Sequence, residues 1–190
     1  FGESGDLNFQ KKVLTSIALQ TKFLELKLEE TQKPNDQIII IKGLLVAKSI
    51  LYKDINNIHA MLDIVSDAVD LLINPDGGHK SRSPVKQLLL LRQLVEIRSI
   101  VAVLKNIDAE YLHNQTIKMG QFCRSFQMPD ENFAWFNGGG LVESNLIRQT
   151  LNRIGYKNRI FNVAKDTGYC RLALNDTVVL VDIGLEKKVS

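Results

Sequence analysis

The chain has 190 residues, of which 45% are hydrophobic and 24% charged, close to the globular average and enough for one sizeable core or for one domain plus the start of another. Its net charge of +3, from 24 basic and 21 acidic residues, with only 7% aromatic residues, leaves neither the basic footprint nor the stacking platforms that nucleic-acid binding uses. The longest apolar run, IIIIKGLLVAKSIL, is interrupted by Lys42 and Lys48, which are costly in a bilayer and easily set beside water at a bundle edge, so no transmembrane helix is expected.

From about Leu7 to Gln127 the apolar pattern is helical. A first helix is predicted over residues 8–30, with Val13, Ile17, Phe23, Leu24 and Leu28 recurring at three- and four-residue intervals until Pro34 stops it. A second starts near Asn35 or Asp36 and carries Ile38, Ile41, Leu45 and Ile50, apolar on most sides and so buried. Asp54 suits the N-cap of a third, whose face is Ile55, Ile58, Leu62, Val65, Val69 and Leu72; His59 falls at its edge as a partly buried structural histidine.

The connection that follows, NPDGGHKSRSPVKQ at residues 74–87, gathers a tight turn, a histidine, basic residues and a helix start. Asp76, Gly77 and Gly78 reverse the chain, Ser83 is an N-cap, and Pro84 fits the first helical position because its missing N–H has no partner there anyway. The fourth helix, VKQLLLLRQLVEIRSIVAVL, has scarcely a solvent face, with Arg92 and Glu96 as an exposed pair four apart. A fifth runs from near Asp108 to Phe126, anchored by Leu112, Ile117, Phe122 and Phe126. Past Met128-Pro129-Asp130 the pattern turns strand-like in FAWF, RIFNV, YCRLAL and TVVLVDIG, with one amphipathic helix over 142–154 and a turn at Asn175-Asp176. The predicted fold is α+β, mainly α, with antiparallel helices over 1–128 and a linker, short helix and opening of a β domain over 129–190.

Chemistry is sparse. Cys123 and Cys170 have no zinc or redox spacing and read as buried free thiols. His59, His79 and His113 lack metal-ligand spacing, and no cofactor motif is complete. Phe136-Asn137-Gly138-Gly139-Gly140 could present backbone N–H groups to an anion, or could simply be a tight turn, since it lacks the Lys-Ser/Thr of a P-loop and the spacing of a dinucleotide site. Asp76, His79 and Ser83 sit too close on one loop for a triad, with no nucleophile elbow. A rim of His79, Lys80, Arg82 and Lys86 would suit an acidic ligand such as a uronate or sulfated sugar; the alternative is a solvated turn with a good cap. The chain opens at Phe1 without a basic start or leading apolar segment, which fits a processed or excised piece of a longer protein.

The segment DGGHKSRSP followed by LLLLRQL resembles the DGGH/N-x-x-RSP stretch of heparinase II/III-like polysaccharide lyases, and FNGGG with DTGYCRLALNDTVVLVDIG resembles the junction where those proteins leave a helical toroid and enter a β-sandwich. The resemblance spans roughly residues 35–184. It implies an incomplete (α/α) toroid followed by the first strands of a β-sandwich, and an acidic polysaccharide as partner, cleaved by β-elimination with a carboxylate-neutralising group, a base and an acid. It further implies His79 as the catalytic candidate and Arg82, Lys86 and Asn35 as substrate-binding ones, with no metal and no cofactor. Two departures bear on activity. The Tyr-His pair that commonly follows the motif is replaced by Lys86-Gln87, and an upstream Asn-His pair by Asn35-Asp36. A noncatalytic carbohydrate-binding or interaction module is therefore the rival expectation.

Overall fold

The computed structural model describes residues 6–51, 55–104, 107–154 and 160–184. It is α+β and mainly helical, in the order α1 (Leu7–Glu30), α2 (Pro34–Leu51), α3 (Ile55–Leu72), α4 (Pro84–Val101), α5 (Glu110–Ser125), α6 (Ser144–Asn152), β1 (Val163–Ala164), β2 (Tyr169–Leu174) and β3 (Thr177–Asp182). None of these helices is long and apolar enough to cross a membrane. The chain divides into two compact units, one of Phe1–Ala68 with Glu96–Ala109 and one of Val69–Val95 with Glu110–Ser190.

In the first unit, the Asp6 carboxylate caps α1 by accepting from the Asn8 and Phe9 amides, which satisfies two of the helix's unpaired donors. Pro34 opens α2 rather than merely closing α1, as a first-turn proline can. The short connection between them folds α2 back on α1, and the close approach falls where Gly43 has no Cβ: one there would lie 3.0 Å from Leu24 Cδ1. Ile38, Ile41, Leu44 and Leu45 of α2 and Ile58, Met61 and Val65 of α3 are buried.

Three details of the unit differ from the sequence pattern. Phe23 is 60% exposed, and His59 is exposed rather than half-buried; both lie just outside the stripes their helices bury. Lys48 is not beside water but 6% exposed, with its ammonium 2.7 Å from Glu25 Oε1, while Lys42 reaches Glu96 at 2.7 Å. Helical periodicity counts a lysine as a solvent marker, whereas a carboxylate on the next helix lets it turn inward. Asp54, the expected cap of α3, is outside the described residues.

In the second unit, α4 buries Leu88, Leu90, Leu91, Leu94 and Val95, yet it keeps a solvent face that its apolar sequence does not announce, because Lys86, Leu89 and Arg92, three apart along the helix, are exposed. On α5, Leu112, Thr116, Met119, Phe122 and Cys123 are buried; Ile117 is only half-buried, because the inward stripe runs 112-116-119-123. Burial raises the Cys123 thiol well above its usual range, while Cys170 is only half-buried. The sheet is antiparallel in the order β1-β2-β3, with Asn175 at φ 51° in the turn between β2 and β3. FAWF contributes only an isolated bridge, Gln127 to Phe133, and of the described residues of RIFNV, 160–163, only Val163 enters a strand. Rings of Phe122, Phe126, Phe161, Tyr169 and Phe136 run from α5 to β2, with centroids 4.7 to 6.2 Å apart between neighbours.

The fully buried Leu91 sets one expected outcome: Leu91→Ala lowers unfolding free energy by about 2 to 5 kcal/mol in chemical denaturation, and a change near zero would show that α4 is not the core helix. The Lys48 pair sets another. Glu25→Ala leaves a buried ammonium unpaired and costs about 1 to 3 kcal/mol, whereas Lys48→Met, which keeps the stem, costs less; the reverse ranking would refute an inward-facing pair.

Candidate functional site

The stretch 74–87 is a miniature hairpin closed onto a helix start. Asn74 and Gly78 bond through backbone at 2.8 Å, and the Lys80 amide donates to Leu72 O at 2.8 Å. Each glycine has its own reason to be one. Gly77 has φ +88°, and a Cβ there would lie 2.7 Å from Lys118 Cγ; at Gly78 a Cβ would meet the Phe122 ring at 2.5 Å. The left-handed backbone and the approach of α5 both exclude a side chain.

Asp76 ties this hairpin to the loop before β2. Its Oδ1 accepts from the Gly78 amide at 3.1 Å and the Thr167 hydroxyl at 2.6 Å, and its Oδ2 from the amides of Asp166 and Thr167 at 3.0 and 2.8 Å. Asn74 Nδ2 donates to the same threonine hydroxyl at 3.1 Å. Arg82 makes the second tie. Its Nε donates to Thr167 O at 3.1 Å, its guanidinium pairs with Asp182, and its Cζ lies 5.5 Å from the centre of the Tyr169 ring. Arg82 takes a left-handed φ of 60°, unusual for a residue with a side chain. That turn aims its carbonyl at the Tyr169 hydroxyl, which donates to it at 2.6 Å. Burial pushes the Tyr169 hydroxyl's pKa up, with Asn137 and Arg82 opposing, so at neutral pH it remains a donor.

Asn137 joins the cluster from the glycine loop, with Nδ2 3.1 Å from Arg82 O, 2.8 Å from Tyr169 OH and 3.1 Å from Asp182 Oδ2. It is held there by a turn in which Gly139 N donates to Phe136 O at 2.8 Å, with Asn137 at φ 47° and Gly138 at φ +73°. This is the tight-turn reading of FNGGG, with the asparagine side chain as its product.

His79 faces inward. It is 6% exposed, and its Nδ1 accepts the Ser81 amide at 3.0 Å, which requires that nitrogen to be unprotonated. Burial first, and the nearby Lys86 charge second, lower its pKa to about 4. Gln87 is buried too: its Oε1 accepts the His79 amide at 2.6 Å, and its Nε2 donates to Gly77 O at 2.9 Å and lies 3.3 Å from Met119 O. Ser83 precedes α4 and its carbonyl accepts the Gln87 amide at 3.0 Å, but its buried hydroxyl has no hydrogen-bond partner among the described residues. The expected side-chain cap is therefore absent, although the backbone cap is present. Lys86 is exposed, and Lys80 donates to Asp70 O at 2.9 Å.

The structure thus brings His79, Arg82 and Lys86 into one unit, with Lys86 alone facing water. Asn35, exposed in the first turn of α2, belongs to the other unit. Thr167, Tyr169 and Asp182 were not singled out from sequence, Asn137 entered only as part of the glycine loop, and Gln87 only as half of the Lys86-Gln87 departure. The available sign was the Asp-Thr-Gly-Tyr run at 166–169, in which a polar pair and a glycine directly precede a strand.

No protein-family model matches the chain, and no solved structure matches it. It is similar to the FtsZ-localized protein C of Caulobacter vibrioides (strain NA1000 / CB15N), with 27% identity over 127 residues, which are 67% of this chain and 22% of that protein. The chain therefore spans under a quarter of the length of the relative it matches.

Two measurements follow. Because the His79 pKa falls to about 4 in the fold from an ordinary 6.5, the unfolded chain binds the extra proton first. Its contribution is complete above pH 6.5 and is lost as pH falls from there toward 4. The melting temperature should decline over that window, and His79→Gln should flatten that part of the decline; an imidazole titrating near 6.5 by NMR would contradict the inward placement. For the second tie, Arg82→Ala and Asp182→Ala should each destabilise, with the double variant less stable than wild type by about 1 kcal/mol less than the sum. Strict additivity would mean that the pair does not couple.

Proposed function

We propose that this chain is part of a heparinase II/III-like protein acting on acidic polysaccharide, covering the end of a helical toroid and the start of a β-sandwich, and that its DGGHKSRSP loop is a structural joint rather than the catalytic centre. One observation carries the reading. The three segments that bear the resemblance, around residues 76–83, 136–140 and 166–184, are those that lock together through Asp76, Arg82, Asn137, Thr167, Tyr169 and Asp182. A joint of this kind explains why such residues occur together without requiring them to touch substrate. The sheet supports the same reading: Val163, Leu172, Leu174, Val179 and Val181 are exposed and, by the register Val163–Cys170–Val181 and Leu172–Val179, share one face, the pattern of a sheet that a second layer covers.

A base needs access to the proton it removes. His79 is buried, uses Nδ1 for an amide and holds a pKa near 4, and Gln87 has no basic nitrogen. Binding without cleavage by this segment is thus the favoured form, with Lys86 free to meet an acidic chain. The longer protein should bind polygalacturonate, alginate or heparin in a salt-sensitive manner, and any unsaturated uronate it releases, followed by ultraviolet absorbance, should persist in His79→Gln. Loss of product in that variant with an unchanged melting temperature and circular dichroism would restore His79 as a catalytic residue.

The likeness to a protein named for its localization with FtsZ favours a second reading, in which the chain is an interaction module that associates with FtsZ. Co-sedimentation with FtsZ polymers tests it: pelleting above the level of a protein-only control supports the reading, and none removes it.

A further inference from the structure

Lys118, Gln121 and Phe122 stand at i, i+3 and i+4 on α5 and so share a helical face. With Phe161, Ile160 and Asp76 they line a cavity of about 220 Å³. The Phe122 and Phe161 rings, with centroids 4.7 Å apart, make an apolar wall. Its position is fixed by the absence of a Cβ at Gly78, since a side chain there would displace Phe122. The two polar residues on the helix side are Lys118 and Gln121. Among the described residues nothing hydrogen bonds or pairs with the Lys118 ammonium or the Gln121 amide. The neighbouring Asp76 does not claim them, because its two oxygens accept from Gly78, Asp166 and Thr167.

The space suits one ring. A cavity of about 150 Å³ admits a benzene, and 220 Å³ admits a six-membered ring with substituents. The chemistry suits an amphipathic anion: an apolar wall for a ring face, one cation without a partner among the described residues for a carboxylate, and one amide that can donate to and accept from hydroxyls, while the Asp76 charge in the same lining is met by its four donors. We infer that this cavity is a subsite for a single uronate residue, with Lys118 pairing its carboxylate, Gln121 bonding a ring hydroxyl and Phe161 and Phe122 covering its less polar face. The inference rests on the acidic-polysaccharide reading and adds a place for the sugar that is separate from the DGGHKSRSP residues His79 and Arg82.

The test is titration of the chain with sodium glucuronate, observed through backbone amide resonances, with glucose and benzoate as parallel probes. Saturable shifts centred on residues 118–122 and 160–161, weakened about tenfold by Lys118→Met and reduced by Gln121→Ala, support the subsite. Lys118 is exposed and methionine keeps its aliphatic stem against Gly77, so the fold should survive; Lys118→Glu, which should abolish binding, is the second variant. No saturable shift, equal binding of glucose, tighter binding of benzoate than of glucuronate, or indifference to Lys118→Met overturns it. Polymer binding by the longer protein separates the two claims. If it survives Lys118→Glu at full strength, the subsite fails and the broader reading stands; if wild type binds no acidic polymer while glucuronate still shifts these resonances, the broader reading fails and the cavity stands.

Discussion

The second unit of this protein hangs on one carboxylate. Asp76 accepts four hydrogen bonds, one from its own turn and three from Asp166 and Thr167, and in doing so makes one object of two loops that lie some ninety positions apart in sequence. Hydrogen bonds to a charged acceptor are stronger than neutral ones. Three of the donors are backbone amides outside any strand or helix and the fourth is the Thr167 hydroxyl, so losing the carboxylate would leave several groups unpaired at once. Placement of the strand that carries Tyr169 follows, and with it the aromatic row from α5 to the sheet.

Around that anchor the polar residues work in complementary senses. A primary amide both donates and accepts, which is what Gln87 needs to read an N–H of His79 and a carbonyl of Gly77 from one side chain; a carboxylate or an ammonium could do only half of this. Asn137 uses only the donating half of that chemistry, its Nδ2 facing Arg82 O, Tyr169 OH and Asp182 Oδ2 from a turn. Arg82 combines a left-handed backbone with a guanidinium directed at Asp182, so the carbonyl and the charge of one residue are satisfied by different parts of the same hairpin. The cost of its positive φ, on the order of 1 kcal/mol, is offset by bonds that a relaxed backbone would not aim.

Residues usual in active sites are also those best able to fasten loops, and burial decides which use they serve. His79 illustrates the point: surrounded by protein and next to the Lys86 charge, it is held neutral, and one of its nitrogens is used up by a backbone amide. Lys86 and Lys118, both exposed, lie outside the fastened cluster. A change at either lysine can therefore leave the joint intact.

By itself the sequence determined the helices, because apolar residues at three- and four-residue spacing bury one face whatever the partner, and five of them before Met128 stand where periodicity places them. It also determined the β2–β3 hairpin, through alternation and the Asn175-Asp176 turn, and it marked the connections at 74–83 and 136–140. Inward Lys48, outward His59 and Phe23, and a Ser83 hydroxyl without a capping bond were settled only by tertiary structure, since each depends on what the next element offers and not on its own period. So was the meeting of Asp76 with Thr167 and of Arg82 with Asp182 and Tyr169. These are contacts between segments far apart along the chain, and no local propensity encodes which buried donor will find which acceptor.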